Sequence, residues 1–93
     1  MKVYWREHST GQRLILDNDT GQEEEVGSVR RTPRGFDAIA KAEGYDPGRA
    51  RKGFPTLEDA KAFVESFQPW DIIVGSAKVE LDKTVHPMTE ENK

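Results

Sequence analysis

The chain has 93 residues, a formal net charge of −3 at pH 7 and no cysteine. This length suits one domain with a small core, and the lack of cysteine excludes disulfides, zinc-thiolate sites and cysteine nucleophiles. No apolar run approaches the roughly 20 residues of a membrane span, and the first residues, MKVYWREHS, lack the apolar stretch of a signal peptide. We therefore expect a cytoplasmic protein without a membrane partner.

The first third of the sequence predicts three strands. Residues 3–8 are rich in β-branched and aromatic side chains, and residues 13–17 form a short apolar run. The turn-forming sequence STGQ lies between them, which predicts a hairpin. The Asn, Asp and Gly of residues 17–22 form the next turn. A third strand is therefore predicted over residues 23–31.

Residues 35–43, GFDAIAKAE, fit two interpretations. Apolar side chains at alternate positions from Phe36 to Ala42 favour a strand. The Ala, Lys and Glu content favours a helix, with Gly44 as its C-cap. The strand is preferred because the preceding TPRG resembles a hairpin loop.

Three further segments complete the outline. Residues 43–53 contain several Gly and Pro and predict a loop. An apolar run followed by alternation predicts a late strand over residues 70–82, bent at Gly75. Residues 83–93 show no periodicity and are predicted to form a flexible C-terminal tail. We expect one domain over residues 1–82.

Residues 56–68 predict an amphipathic helix. The Thr56 hydroxyl is placed to accept a hydrogen bond from the backbone of Asp59, as an N-cap does, and Pro69 ends the helix. The fold class predicted is α+β, with a small antiparallel sheet of four to five strands packed on this helix. The apolar stripe of the helix is interpreted as core packing; it consists of Leu57, Ala60, Phe63, Val64 and Phe67.

The junction GFPTLEDA resembles small DNA-binding modules with a three-stranded sheet packed on one helix, such as the plant AP2 domain and the arm-binding domain of tyrosine integrases. The resemblance implies DNA contacts from Arg, Lys and Trp on the exposed sheet face, with Arg30, Arg31 and Arg34 in similar places. The chain departs from the pattern in its acids at residues 23–25 and in its additional strand. The matching residues are Gly53, Phe54, Thr56, Leu57, Glu58, Ala60 and Ala62, with Gly35 and Phe36 as an outer match.

Motifs for catalysis or metal binding are not evident. Asp17 and Asp19 alternate as in a calcium loop, but the later ligands and the central glycine of an EF-hand do not follow. His8 and His86 are far apart in sequence, and no serine has the context of a nucleophile elbow. We expect no catalytic residue, no metal site and no cofactor, and hence no enzyme.

Charge and aromatic residues give the candidate binding sites. Basic residues cluster at 30–34 and 49–52, whereas acids cluster at 23–25 and along the predicted helix. Tyr4 or Trp5 would form an aromatic row on whichever face of the first strand is uncovered. The candidate partner-binding or nucleic-acid-binding residues are Arg30, Arg31, Arg34, Arg49, Arg51, Lys52, Tyr4 and Trp5.

Two functions remain open from the sequence. The preferred one is a small non-catalytic protein-interaction or regulatory module, of the kind that accessory or mobile-element genes encode, because the chain is short and acidic. The alternative is a nucleic-acid-binding module, which requires loops 30–34 and 49–52 to converge on one face.

A homodimer is also predicted through residues 70–81. The run Ile72–Val74 is predicted to be a strand that needs burial on both sides, which pairing with a second copy would provide.

Overall fold

The described residues form one mixed β-sheet of six strands with a helix packed on one face. The computed structural model describes residues 1–75 and 78–88. The strands are β1 (Lys2–His8), β2 (Gly11–Asp17), β3 (Glu23–Thr32), β4 (Gly35–Ala40), β5 (Ala50–Phe54) and β6 (Glu80–His86), and the helices are α1 (Leu57–Ser66) and α2 (Asp71–Val74).

The α+β class is confirmed, but the sheet has six strands rather than four to five. The spatial order is β5-β4-β3-β2-β1-β6. Strands β1 to β5 pair antiparallel with their neighbours, whereas β6 pairs parallel with β1, so the predicted all-antiparallel sheet is wrong. Within the described residues, no helix has the length and apolar character needed to cross a membrane.

Strand β5 lies where the sequence predicted a loop. Its residues, ARKGF, are exposed or half-buried and have no apolar alternation. The strand exists because its backbone pairs with β4, opposite Phe36, Ala38 and Ile39. A bulge interrupts this pairing, and Gly53 adopts φ 78, which glycine tolerates best. Tertiary pairing has therefore overridden local propensity.

The predicted strand over residues 70–82 is wrong in its first part. Residues 71–74 form the short helix α2, with the carbonyl of Trp70 accepting from the amide of Val74 at 3.1 Å. Gly75 ends it with φ 61. The strand begins at residue 80 and continues to 86, so the predicted tail is wrong over 83–86. The remainder of that tail at 89–93, and residues 76–77, lie outside the described residues.

The helical conformation of residues 71–74 bears on the predicted homodimer. The run Ile72–Val74 is not a strand seeking a partner, because it lies in α2. Strand β6, which does lie at the sheet edge, has an irregular register against β1 between residues 82 and 86. Irregular edge strands are poor templates for pairing with another chain. The homodimer stays a prediction, but an unpaired apolar strand at residues 72–74 no longer supports it.

Helix α1 follows the sequence prediction closely, although it ends at Ser66. The Thr56 hydroxyl accepts from the amide of Asp59 at 3.1 Å, as predicted for the N-cap. Ala60 and Val64 are fully buried against the sheet. Gly27 of β3 allows this approach, because a Cβ there would lie 2.5 Å from Cγ1 of Val64.

The helix covers one face of β3, β4 and β5 and leaves their other face without a packed element among the described residues. Side chains alternate between the two faces of a strand. Val29, Ala38 and Ala40 point towards the core below α1. Their neighbours in β3 and β4, which include Arg30 and Ile39, therefore point to the uncovered face.

Candidate nucleic-acid interface

The two aromatic residues predicted to bind a partner are buried. Trp5 is 2% exposed in the core, and its indole N–H donates to Oε2 of Glu65 at 2.7 Å. The ammonium of Lys61 lies 5.3 Å from the centre of the Trp5 ring. Tyr4 points to the opposite face but is only 5% exposed. The exposed aromatic row is therefore not formed by either residue.

Tyr4 is covered by a polar network that includes a residue of the predicted tail. The His86 ring stacks on Tyr4 with 3.9 Å between ring centres, and its Nε2 lies 3.2 Å from a carboxylate oxygen of Asp82. The Tyr4 hydroxyl donates to Glu23, and Arg6 donates to the same carboxylate at 2.5 Å. Burial raises the pKa of Tyr4 to about 12, whereas the Arg6 hydrogen bond lowers the pKa of Glu23. This half of the face is closed by its own contacts.

Arg49 is occupied by contacts within its own region. Its guanidinium donates to Oδ2 of Asp46 at 3.2 Å and to the carbonyl of Lys41 at 3.0 Å. The guanidinium carbon also lies 5.1 Å from the centre of the Phe67 ring. Arg49 therefore stabilises the connection before β5 and is not brought to the uncovered face.

Arg31 and Arg51 lie on the helix side of their strands. Arg31 is paired in register with Phe36, and Arg51 is paired with Ala38. Both partners pack on the core below α1, and paired residues of neighbouring strands share a face. Arg51 places its guanidinium carbon 5.1 Å from the centre of the Phe54 ring. The side chains of Arg31 and Arg51 are thus directed away from the uncovered face, and a single footprint of both basic loops stays a prediction.

The other three predicted cations, Arg30, Arg34 and Lys52, meet at one end of the uncovered face, and we call them the basic corner. Arg30 and Lys52 line a depression of about 380 Å³, and Arg51 is also among its lining residues. Arg34 and Lys52 line an adjoining one of about 440 Å³, and Asp37 borders both. None of the three cations forms an ion pair with any residue in 1–75 or 78–88.

A close backbone approach at Gly35 and two hydrogen bonds fix the position of the basic corner. Gly35 has φ 126, and a Cβ there would lie 2.4 Å from the carbonyl oxygen of Phe54, so glycine lets the β3–β4 turn approach β5. The Thr32 hydroxyl accepts from the amide of Arg34 at 3.2 Å. The amide of Gly53 donates to Oδ1 of Asp37 at 3.0 Å, which joins β5 to β4 within the bulge.

Charge is separated along the sheet. Strand β3 begins with the acids Glu23 to Glu25 and ends beside the basic corner. At the acidic end, Arg6 pairs with Glu23 and Arg13 pairs with Glu25, each at 2.5 Å. Arg6 and Arg13 are therefore neutralised within the protein, whereas the cations of the basic corner are exposed. An anionic partner would therefore be attracted to the corner.

Asp37 and Ile39 also belong to this surface and were not among the residues predicted from the sequence. Ile39 is 53% exposed and lines the same depression as Arg30, together with Ser28 and Asp37. The alternation of β4 contained the signal, because buried Ala38 and Ala40 place Asp37 and Ile39 on the opposite face. Among the residues described, no group of three or more His, Cys, Asp and Glu is placed to hold a metal ion.

The arrangement offers cations, a hydroxyl and a small apolar floor in a shallow setting. No family model, curated protein or solved structure matches this chain.

Proposed function

We propose that the chain is a non-catalytic module that binds double-stranded DNA through the uncovered face of β3, β4 and β5. The observation that carries the proposal is the basic corner, in which Arg30, Arg34 and Lys52 meet from different segments without an acidic partner among the described residues. When Lys and Arg side chains on one face neutralise phosphates, the counterions condensed on the DNA are released, and this release drives binding.

The shape of the surface favours a duplex over a single strand. Single-stranded nucleic acids are usually held by stacking of bases on exposed aromatic rings. The residues that line the two depressions include no aromatic side chain. Phosphate contacts and groove contacts are therefore the interactions that this surface offers.

The dimensions of the surface favour DNA over RNA. Three neighbouring strands span roughly 10 Å between the outer two backbones, at about 4.8 Å per step. The major groove of B-DNA is about 12 Å wide and admits an α-helix or a two-stranded β-ribbon, whereas the major groove of A-form RNA is too narrow for side chains to read. The resemblance to three-stranded DNA-binding modules points to the same ligand.

A protein partner is the second candidate, and Ile39 is the observation that favours it. This side chain is 53% exposed at the centre of a charged surface, and exposed apolar residues within a polar rim are typical of protein interfaces. An acidic protein that covers Ile39 and pairs with the basic corner would use the same residues. The buried positions of Tyr4 and Trp5 leave neither residue exposed as an aromatic platform for such a partner.

Fluorescence anisotropy of labelled nucleic acids tests the proposal. Duplex DNA, duplex RNA and single-stranded DNA of one length and sequence are titrated with the protein at low salt. We expect duplex DNA to bind most tightly, with an affinity that falls as salt rises. Absence of binding to every probe at micromolar protein would refute the proposal, and retention of a nuclease-resistant protein partner from a lysate would then favour the second candidate.

A further inference from the structure

The carboxylate of Asp37 lies within a surface that we propose to bind an anion. It borders both depressions and is the cross-strand partner of Arg30 in the register of β3 and β4. A carboxylate that faces phosphates would repel them and weaken binding. The uncovered face therefore needs a different type of contact at this position from the one made by Arg34 and Lys52.

Asp37 keeps an acceptor available for a ligand. Its Oδ1 accepts from the amide of Gly53 at 3.0 Å, and within residues 1–75 and 78–88 its Oδ2 accepts no hydrogen bond. Arg30 and Asp37 are paired on the same face, yet they form no ion pair with each other. The guanidinium donor of Arg30 and the carboxylate acceptor of Asp37 thus lie side by side on the uncovered face.

From this juxtaposition we infer that Arg30 and Asp37 together read one G·C base pair in the major groove, an inference that rests on the proposed binding of DNA. Guanine presents two acceptors, O6 and N7, which match the guanidinium fork of Arg30. Cytosine presents the N4 amino donor, which matches the open oxygen of Asp37. Arg34 and Lys52 then hold the flanking phosphates and fix the register.

Neighbouring residues fit this arrangement. Opposite residues of paired antiparallel strands have their Cβ atoms about 4.5–5.5 Å apart, so the two side chains reach adjacent bases of one pair. Ile39 lies next along β4 on the same face and provides an apolar contact for a thymine methyl group. The centre of the face therefore carries groups that read bases, and its rim carries charges.

Selection of bound duplexes from a random-sequence DNA library tests the inference. We expect the selected sequences to share one G·C pair, and replacement of that pair with A·T to weaken binding about 5- to 150-fold. Asp37→Asn keeps an oxygen for the Gly53 amide and replaces the open carboxylate oxygen with a donor. We expect this variant to weaken the preference for the G·C pair, because the new amide group is a donor and cannot accept from the N4 amino group of cytosine.

The outcomes separate this inference from the proposed function. Salt-dependent duplex binding without any selected base pair would overturn the reading of G·C while leaving the DNA-binding function intact. An unchanged preference in Asp37→Asn would show that Asp37 has only its structural bond to Gly53, and it would equally overturn the inference. The melting temperature of each variant establishes that the fold is retained. Failure to bind any duplex would refute both proposals.

Discussion

Arg30 and Lys52 line one depression although β4 separates their strands. Neither forms an ion pair with a residue of the described chain. Their proximity depends on β5, which places Lys52 across β4 from the end of β3. The short edge strand thus brings Lys52 of one basic loop to the same surface as Arg30 of the other.

Arg30→Ala and Arg31→Ala form a matched pair, because the two residues are adjacent in sequence and remove the same charge. Only Arg30 points to the uncovered face. We expect Arg30→Ala to flatten the slope of log affinity against log salt by up to about 0.9, and Arg31→Ala to flatten it less. Anisotropy titrations of duplex DNA at several salt concentrations give both slopes. Equal effects of the two substitutions would mean that the uncovered face is not the footprint.

Gly27→Ala is expected to destabilise the fold by about 1–3 kcal/mol, the usual cost of overpacking. The added Cβ would lie 2.5 Å from Cγ1 of Val64 and would push α1 away from β3. Urea unfolding measures the loss. Val64→Ala in the same chain removes the clashing methyl, so the double variant should be more stable than the sum of the single effects predicts. Strict additivity would show that this contact does not limit the packing of the helix.

Glu65→Ala leaves the buried indole N–H of Trp5 without its acceptor. We expect a loss of about 1–3 kcal/mol in the free energy of unfolding. Glu65→Gln keeps an acceptor oxygen and should retain most of the stability, so the difference between the two variants isolates the hydrogen bond from the charge. Similar unfolding midpoints for Glu65→Ala and Glu65→Gln would contradict this role.

The pKa of Tyr4 predicts a loss of stability in alkali. Burial raises this pKa from 10.0 to about 12, so the folded protein retains the phenol proton over a range in which the unfolded chain releases it. Stability should therefore fall as pH rises from about 10 to 12. Tyr4→Phe cannot ionise and should show a shallower fall over that range. Parallel urea unfolding curves of both proteins against pH check this, and identical pH dependence would rule out Tyr4 as the cause.

Local sequence patterns predicted the elements that depend on local features. The helix over 57–66 follows from the Thr56 cap and the apolar spacing, and the strand at 35–40 follows from alternation. Strand β5 has no such pattern and forms through pairing with β4. The position of β6 depends on parallel pairing with β1 and on stacking of His86 on Tyr4. Both contacts join residues that are distant in sequence.

The sequence identified the basic residues of the candidate site but not their positions on the sheet. Basic residues were visible in the sequence, but the faces they occupy depend on strand register, which placed Arg30 and Arg31 on opposite sides of β3. The contacts of Arg49 with Asp46 and Lys41 depend on the short helical turn before β5. Asp37 and Ile39 were readable from alternation once residues 35–40 had been assigned as a strand.

Mapping of amide signals by nuclear magnetic resonance tests the central claim most directly. A nitrogen-15-labelled sample is titrated with short duplex DNA, and changes in amide chemical shift are assigned to residues. We expect the largest changes at the uncovered face of β3, β4 and β5, and little change on α1 or β6. Changes centred on α1 or on the Tyr4 network, with the basic corner unaffected, would contradict the account. The residues expected to change are Ser28, Arg30, Arg34, Asp37, Ile39 and Lys52.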